Sequence, residues 1–268
     1  MSSRIFFSLT AGLITGSVLT IYAKPPPPPK GWNWDWDGRH EAYLNVASKQ
    51  NSGSPPKGMR HVTLIRHSQY HRIQGDTNDH KSLTEDGMKQ AILTGQRLRD
   101  LGLKFDRIYT SKFVRAQETA KLIVEQLPHN DTSEIIYDAD LNEGLACMIE
   151  PFTNYRTRDE FIEEVRRTSP AILNGFNTYF HRRDPEKMEQ DPKGTEEILI
   201  IGHGNVFRYC LLRLMQFDHS GWTRPKVLNC SISSVHILDN GRVLVPHIGD
   251  TGHLPPALLT DNATSFRL

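Results

Sequence analysis

Leu64-Ile65-Arg66-His67 closes a short apolar run, and Ile198-Leu199-Ile200-Ile201 closes another on Gly202-His203-Gly204. A strand buried in an α/β sheet reads as a continuous apolar run. Open sheets of this class hold their ligands outside the carboxyl ends of their strands. Both histidines therefore fall on the binding rim. Between them a third strand, Arg107 to Thr110, hands over to a helix at Ser111-Lys112-Phe113-Val114-Arg115-Ala116, which brings another arginine to the same rim. Two arginines and two histidines at strand ends predict a phosphate pocket.

Working outward, the order of elements is strand, helix, strand, helix, strand, long helical insert, strand, helix, hairpin. Such alternation predicts an α/β three-layer sandwich with a mostly parallel sheet covered on both faces. Thr84 is placed to cap a helix through Leu101, and Ser111 to cap one that runs to Leu127. Arg115 then sits in a first turn. The run Ser231 to Leu238, followed by Asp239-Asn240-Gly241-Arg242, predicts a two-residue Asn-Gly hairpin into Val243 to Val245, adding one antiparallel edge strand. Between Glu143 and Glu197 an apolar stripe at Phe161, Val165, Ile172, Phe176 and Phe180 marks a core-facing helix, in an insert expected to cover the pocket mouth.

The chemistry fits the residue types. Neutral imidazole is a nucleophile near neutral pH and takes a phosphoryl group as a covalent intermediate, which makes His67 the candidate nucleophile. Guanidinium groups stay charged and bond phosphate oxygens in pairs, which suits Arg66 and Arg115. His203 is expected to donate from the other side. A proton must also reach the leaving oxygen, and Asp140-Leu141-Asn142-Glu143-Gly144 offers Glu143 as that acid if its pKa is raised.

These residues carry a resemblance. The chain resembles the histidine phosphatase (phosphoglycerate mutase) superfamily through its Arg66-His67 signature. Leu64 to His71, Leu98 to Phe105, Asn205 to Tyr209, Asn240 to Arg242 and Gly249 to Pro256 are similar to the mitochondrial serine/threonine phosphatases of that superfamily. The likeness covers nearly everything from Arg60 onward. It implies His67 as the phosphorylated nucleophile, Arg66, Arg115 and His203 as phosphate contacts, and Glu143 as the acid. Sugar-phosphate mutases of the superfamily usually continue the signature as Arg-His-Gly-Glu, whereas Ser68 and Gln69 stand here. The implied reaction is hydrolysis of phosphoserine or phosphothreonine in proteins. A small-metabolite phosphatase or mutase, and a non-catalytic membrane adaptor that keeps the fold, are the alternatives.

A lone Arg-His pair is weak evidence, and strand-end histidines are often structural; the order of the motifs lifts the reading. The other histidines show no metal-ligand spacing such as His-Glu-x-x-His, so no metal or cofactor is expected. With 268 residues, a net charge of +1 and a sequence pI near 7.8, the chain has room for one catalytic domain, and no basic block suits nucleic acid. Cys147, Cys210 and Cys230 are scattered and odd in number, which suits a reducing compartment or buried thiols rather than a disulfide framework.

At the N-terminus, Ile5 to Ala23 is about 19 residues without charge, nearly enough at about 1.5 Å per residue to cross a hydrocarbon core of about 30 Å. It reads as a transmembrane helix. The rival is a signal peptide, whose apolar region runs only about 7–15 residues. Gly12 and Gly16 have the spacing that lets two such helices approach. Residues 1–24 are thus a membrane anchor, and charge bias leaves its orientation open. The resemblance implies a mitochondrial membrane, the outer ahead of the inner.

Residues 25–58 form a spacer. Pro25 to Pro29 extend as polyproline, Trp32-Asn33-Trp34-Asp35-Trp36-Asp37 follows, and Asn45 to Lys57 reads as a linker to the catalytic domain, residues 59–268. Three tryptophans in a segment too short for its own core seek a partner surface. The stretch resembles the tryptophan-aspartate assembly motif of the same phosphatases, with Asn33 and Asp35 exchanged relative to it. Trp32, Trp36 and Asp37 are accordingly expected to join subunits into a homo-oligomer; docking onto the chain's own fold is the alternative.

Overall fold

Residues 31–49, 55–72, 81–128, 134–152 and 157–261 are described by a computed structural model. The expected membrane span, the polyproline spacer and the Gly12/Gly16 pair lie outside them. Among the described residues no helix is long and apolar enough to cross a membrane.

A six-stranded sheet carries the fold, built from β1 (Met59–Arg66), β2 (Arg107–Ser111), β3 (Ile135–Asp138), β4 (Thr195–Gly202), β5 (Ile232–Leu238) and β6 (Val243–Asp250) in the order β3-β2-β4-β1-β5-β6. The first four are mutually parallel where they pair, and β1 aligns with β4 so that Arg66 lies opposite Gly202. That register sets His67 and His203 side by side, each one residue beyond its strand.

Alternation along the central strands feeds two cores. Ile198, Ile200, Val62 and Leu64 pack under α4 (Arg158–Tyr179) and α6 (Gly204–Leu214), with Phe161, Ile172, Phe176 and Phe207. Leu199, Ile201, Ile65 and Ile108 face α2 (Glu85–Asp100) and α3 (Val114–Val124), meeting Ala91, Leu98, Ala120 and Ile123. Helices on both faces make the expected three layers. Phe161, Ile172, Phe176 and Phe180 of the predicted stripe are buried. Two short helices, α1 (His40–Lys49) and α5 (Pro185–Gln190), pack on each other through Tyr43, Val46 and Met188.

Local capping follows the sequence at one helix and departs from it at another. Thr84 caps α2, its Oγ accepting from the Gly87 amide at 3.0 Å. Ser111 does not cap α3, whose N-cap is Phe113 and whose last residue is Val124. The Ser111 hydroxyl is instead committed to Asn142.

Three further expectations are corrected. The strand that opposes its neighbours is β5, which pairs antiparallel with both β1 and β6, so it lies inside the sheet and β6 forms the edge. The connection between them is a three-residue loop. Gly241 alone takes a left-handed backbone, at φ +90°, with Leu238 N bonded to Arg242 O, so the loop is a tight turn followed by a glycine bulge; a two-residue Asn-Gly turn needs Asn240 left-handed as well. Finally, Asn45 to Lys49 belong to α1 rather than to a linker.

The tryptophan-aspartate stretch lies on its own catalytic fold. Residues from Gly31 onward form one compact unit. Trp36 donates through Nε1 to the Gly241 carbonyl at 2.8 Å and meets the Phe176 ring edge-on. Asp37 is held by Arg182, and Asn33 exchanges two hydrogen bonds with Gln216. Trp34 remains exposed. The surface that Trp36 and Asp37 seek is therefore met within one chain.

Candidate active site

The end of β1 is fixed by its backbone before any side chain acts. The His67 amide donates to Gly202 O at 2.9 Å, the Asn229 side chain donates to His67 O at 2.9 Å, and Ser68 N and Gln69 N donate to Thr119 and Gln90. The loop that leaves a sheet is usually its most mobile part, yet here each peptide group is tied.

His67 is buried, with its Nδ1 2.8 Å from the Ser68 carbonyl. A carbonyl only accepts, so the proton sits on Nδ1 and Nε2 keeps its lone pair. Burial, with Arg115 and Arg66 nearby, holds the pKa well below the ordinary histidine value, so the ring is neutral near pH 7. This is the form a nucleophile requires.

His203 faces it at a ring-centroid distance of 5.1 Å. Arg115 Nη2 lies 3.3 Å from His203 Nδ1, and Ser111 Oγ lies 2.8 Å from His203 Nε2. Because a guanidinium only donates, Nδ1 accepts and Nε2 carries the proton toward Ser111. The Ser111 hydroxyl in turn donates to Asn142 Oδ1 at 2.8 Å, and the same oxygen accepts from Lys112 N. Burial and the adjacent Arg115 also keep His203 neutral. Its ring thus orients Arg115, and its Nε2 proton is already spent on Ser111.

Arg115 is almost fully buried between Tyr70 and Phe113, its guanidinium carbon 4.9 Å from each ring centre. Arg66 is anchored through Nη1 to Val227 O at 2.7 Å and Asp261 at 2.9 Å. Its buried Nε has no hydrogen-bond partner among the described residues, which leaves one donor of the guanidinium uncommitted. Gly204 permits this packing, because a Cβ there would stand 3.3 Å from Arg66 Nε.

Glu143 arrives from the loop after β3. Burial raises its pKa, against the pull of Arg115, Arg66 and Arg208, which is the direction a general acid needs. The insert reaches this loop by buttressing it. Thr168 of α4 accepts from Leu145 N at 2.9 Å and donates to Leu145 O at 3.0 Å, Ser169 donates to Ala146 O, and a Cβ on Gly144 would collide with Thr168 at 2.5 Å.

The structure therefore brings all five expected residues, Arg66, His67, Arg115, Glu143 and His203, into one group. The sequence reading missed Tyr70, Ser111 as a link to His203, Asn142 and Arg208. All four lie inside stretches singled out in the sequence, Leu64 to His71, Ser111 to Ala116, Asp140 to Gly144 and Asn205 to Tyr209, but nothing in those stretches assigned them a role. Among the described residues no group of three or more His, Cys, Asp or Glu side chains is arranged to hold a metal ion.

The sequence profile of the histidine phosphatase superfamily (branch 1) matches residues 62–248. The chain belongs to the histidine phosphatase superfamily. Within it, this histidine phosphatase is 37% identical over 205 residues to the protein named serine/threonine-protein phosphatase Pgam5, mitochondrial, of Drosophila yakuba, covering 76% of this chain and 68% of that one. The protein of the same name in Drosophila melanogaster matches equally, at 37% over the same length and shares. Among solved structures it is similar to phosphoglycerate mutase from Plasmodium falciparum, with 29% identity, a TM-score of 0.50, and 78% of this chain and 99% of that chain covered.

Proposed function

We propose that this chain is a membrane-anchored mitochondrial protein phosphatase that hydrolyses phosphoserine and phosphothreonine through a phosphohistidine at His67. The observation that carries the mechanism is the His67 tautomer: the Ser68 carbonyl holds the Nδ1 proton and leaves Nε2 free to attack. In the first half-reaction Nε2 forms a bond to phosphorus while the bond to the serine or threonine oxygen breaks, and the Glu143 proton passes to that oxygen. Arg66 and Arg115 hold the phosphoryl oxygens and offset their charge. In the second half water attacks phosphorus, Glu143 now takes its proton, and the nitrogen–phosphorus bond breaks to release phosphate.

The names of the Drosophila relatives support protein phosphoserine and phosphothreonine as substrate and the mitochondrion as location. Ser68 and Gln69 in place of the mutase Gly-Glu point the same way. Residues 5–23 supply the anchor, with the outer mitochondrial membrane preferred. Trp32, Trp36 and Asp37 serve assembly by making to a neighbouring subunit the contacts they make here within one chain.

The full chain in detergent, assayed in parallel on a phosphothreonine peptide and on phosphoglycerate, tests the reading. Peptide turnover, with acid-labile label trapped on the wild type and absent from His67→Ala, is expected. Turnover of phosphoglycerate alone, or label on His67→Ala, refutes it.

A further inference from the structure

Two arginines stand at the pocket beyond those the phosphoryl group needs. Arg208 projects from the second turn of α6 and is fixed in place: Nε donates to Gly204 O at 3.3 Å, Nη1 to Thr223 O at 3.4 Å, Nη2 to Asn205, and the guanidinium lies 5.1 Å over the Trp222 ring. Trp222 is itself tied by Nε1 to the Cys147 carbonyl, in the loop that carries Glu143. Gly204, which Arg208 grips, packs against Arg66. The Arg208 charge therefore sits beside the phosphate contacts, and Glu143 and Arg66 are both within reach of its field.

All of its hydrogen-bond partners are neutral. A partly buried guanidinium without a carboxylate partner is costly to keep unless something else supplies the negative charge. Arg72 follows two residues after Tyr70, whose ring packs on Arg115; it is exposed, makes no hydrogen bond or ion pair among the described residues, and its field reaches His67 and Arg115. Among the described residues, Glu143 and Asp261 are the carboxylates whose fields reach Arg208. Glu143 is the buried group that the chemistry needs as an acid, and Asp261 is shared between Arg66 and Lys226. A phosphoryl dianion engages Arg66 and Arg115 and leaves Arg72 and Arg208 unmatched.

We propose that Arg72 and Arg208 bind negative charge flanking the phosphorylated residue, so that the preferred substrates are acidic phosphopeptides. This rests on the protein-phosphatase reading above. Cations beside the phosphate contacts raise both capture and retention of an anionic segment, and a basic segment is repelled. Arg208 is the stronger discriminator, because its geometry is set before substrate arrives.

Phosphothreonine peptides that differ only in carrying Asp, Ala or Lys on both sides of the phosphothreonine test this with the full chain in detergent at low salt. The Asp peptide should exceed the Lys peptide in kcat/KM by about tenfold or more. Arg72→Ala and Arg208→Gln should each narrow that ratio, and Arg72→Glu should favour the Lys peptide. Because Arg208→Gln risks disturbing α6, the exposed Arg72 variants decide the matter independently. Equal turnover of the three peptides, or a ratio that neither arginine alters, overturns this inference alone. Hydrolysis of 4-nitrophenyl phosphate without turnover of any phosphopeptide overturns both it and the protein-phosphatase reading.

Discussion

Arg182 grips Asp37 through Nε and Nη2, with a shortest contact of 2.7 Å, and adds its own backbone amide at 2.9 Å. Both side chains are out of water, at 0% and 2% exposure. The pair joins the tryptophan-aspartate stretch to the residues just after α4. Hydrogen bonding to Arg182 holds the Asp37 carboxylate below its ordinary pKa despite burial. Asp37→Ala strands a buried guanidinium and should cost about 3–5 kcal/mol, read as a lower unfolding midpoint in urea. The sign with pH follows: the stabilisation is present above the unfolded carboxyl value and lost as pH falls through the depressed one. A midpoint unchanged in Asp37→Ala would show that the pair is not intact in solution.

Activity should follow two protonation states with opposite requirements. His67 must be neutral, and its depressed pKa keeps it so until pH falls well below the ordinary histidine range. Glu143 must be protonated to serve the leaving oxygen, and its raised pKa loses that proton as pH climbs above the usual carboxylate range. With phosphothreonine the rate should therefore fall on the alkaline side, and an aryl phosphate, whose phenolate leaves unaided, should lack that limb. The buried neutral His67 and His203 must also gain charge on acid unfolding, so stability should decline as pH drops below about 6.5. Identical alkaline limbs for both substrates would remove Glu143 from the acid role.

Arg115→Ala should lower kcat by about 10²–10³, the usual size for one preorganised charge-stabilising contact. The ring sandwich of Tyr70 and Phe113 and the bond to His203 Nδ1 need a planar fork, so Arg115→Lys should recover little. Far-ultraviolet circular dichroism and steady-state rates of the two variants check this. Full activity in the lysine variant would show that charge alone matters there.

Arg66, His67 and His203 were legible because apolar runs mark buried strands and each run ends on a polar residue that must lie at the sheet rim, and Arg115 and Glu143 because they follow closely on the next two strands. Ser111 was misread for a general reason: serine just ahead of a helix resembles a cap, and only the fold shows its hydroxyl drawn away to Asn142. Arg208 lies within the family-like stretch Asn205 to Tyr209 but gave no signal of its role, since its place at the pocket depends on the fold of α6 and on Trp222 beneath its guanidinium. The partnership of Thr168 with Leu145 spans 23 residues across the insert and has no local pattern at all. The docking of Trp36 was undecidable from composition, because a tryptophan in search of a surface reads the same whichever chain supplies it.

Glu143→Gln should slow phosphothreonine turnover far more than turnover of an aryl phosphate. Thr168→Val should show the same bias to a smaller degree, because it removes both hydrogen bonds that seat Leu145 two residues from Glu143. Gly144→Ala should resemble it, since the added methyl meets Thr168. Equal losses on both substrates in Thr168→Val would make its contribution structural rather than positional.

Assembly and activity should be linked through α4. Trp36 contacts Phe176 in the last turn of that helix, Asp37 engages Arg182 just beyond it, and Thr168 in the middle holds the Glu143 loop. The stretch itself supplies no chemical group to the pocket, so any effect on rate must come from a larger fraction of molecules with the loop seated. A second chain can supply the same partners, the Gly241 carbonyl as acceptor for Trp36 and the Arg182 guanidinium as donor to Asp37, when residues 31–49 are exchanged between subunits. Such an exchange would keep the Trp36 and Asp37 contacts. Tryptophan anchors often dominate association, so Trp32→Ala with Trp36→Ala should cost several kcal/mol of association. Sedimentation of the full chain in detergent, with phosphopeptide turnover measured on the same samples, should show a smaller species with a lower kcat and little change on an aryl phosphate. Unchanged size would confine these contacts to one chain, and reduced size with unchanged turnover would sever assembly from the pocket.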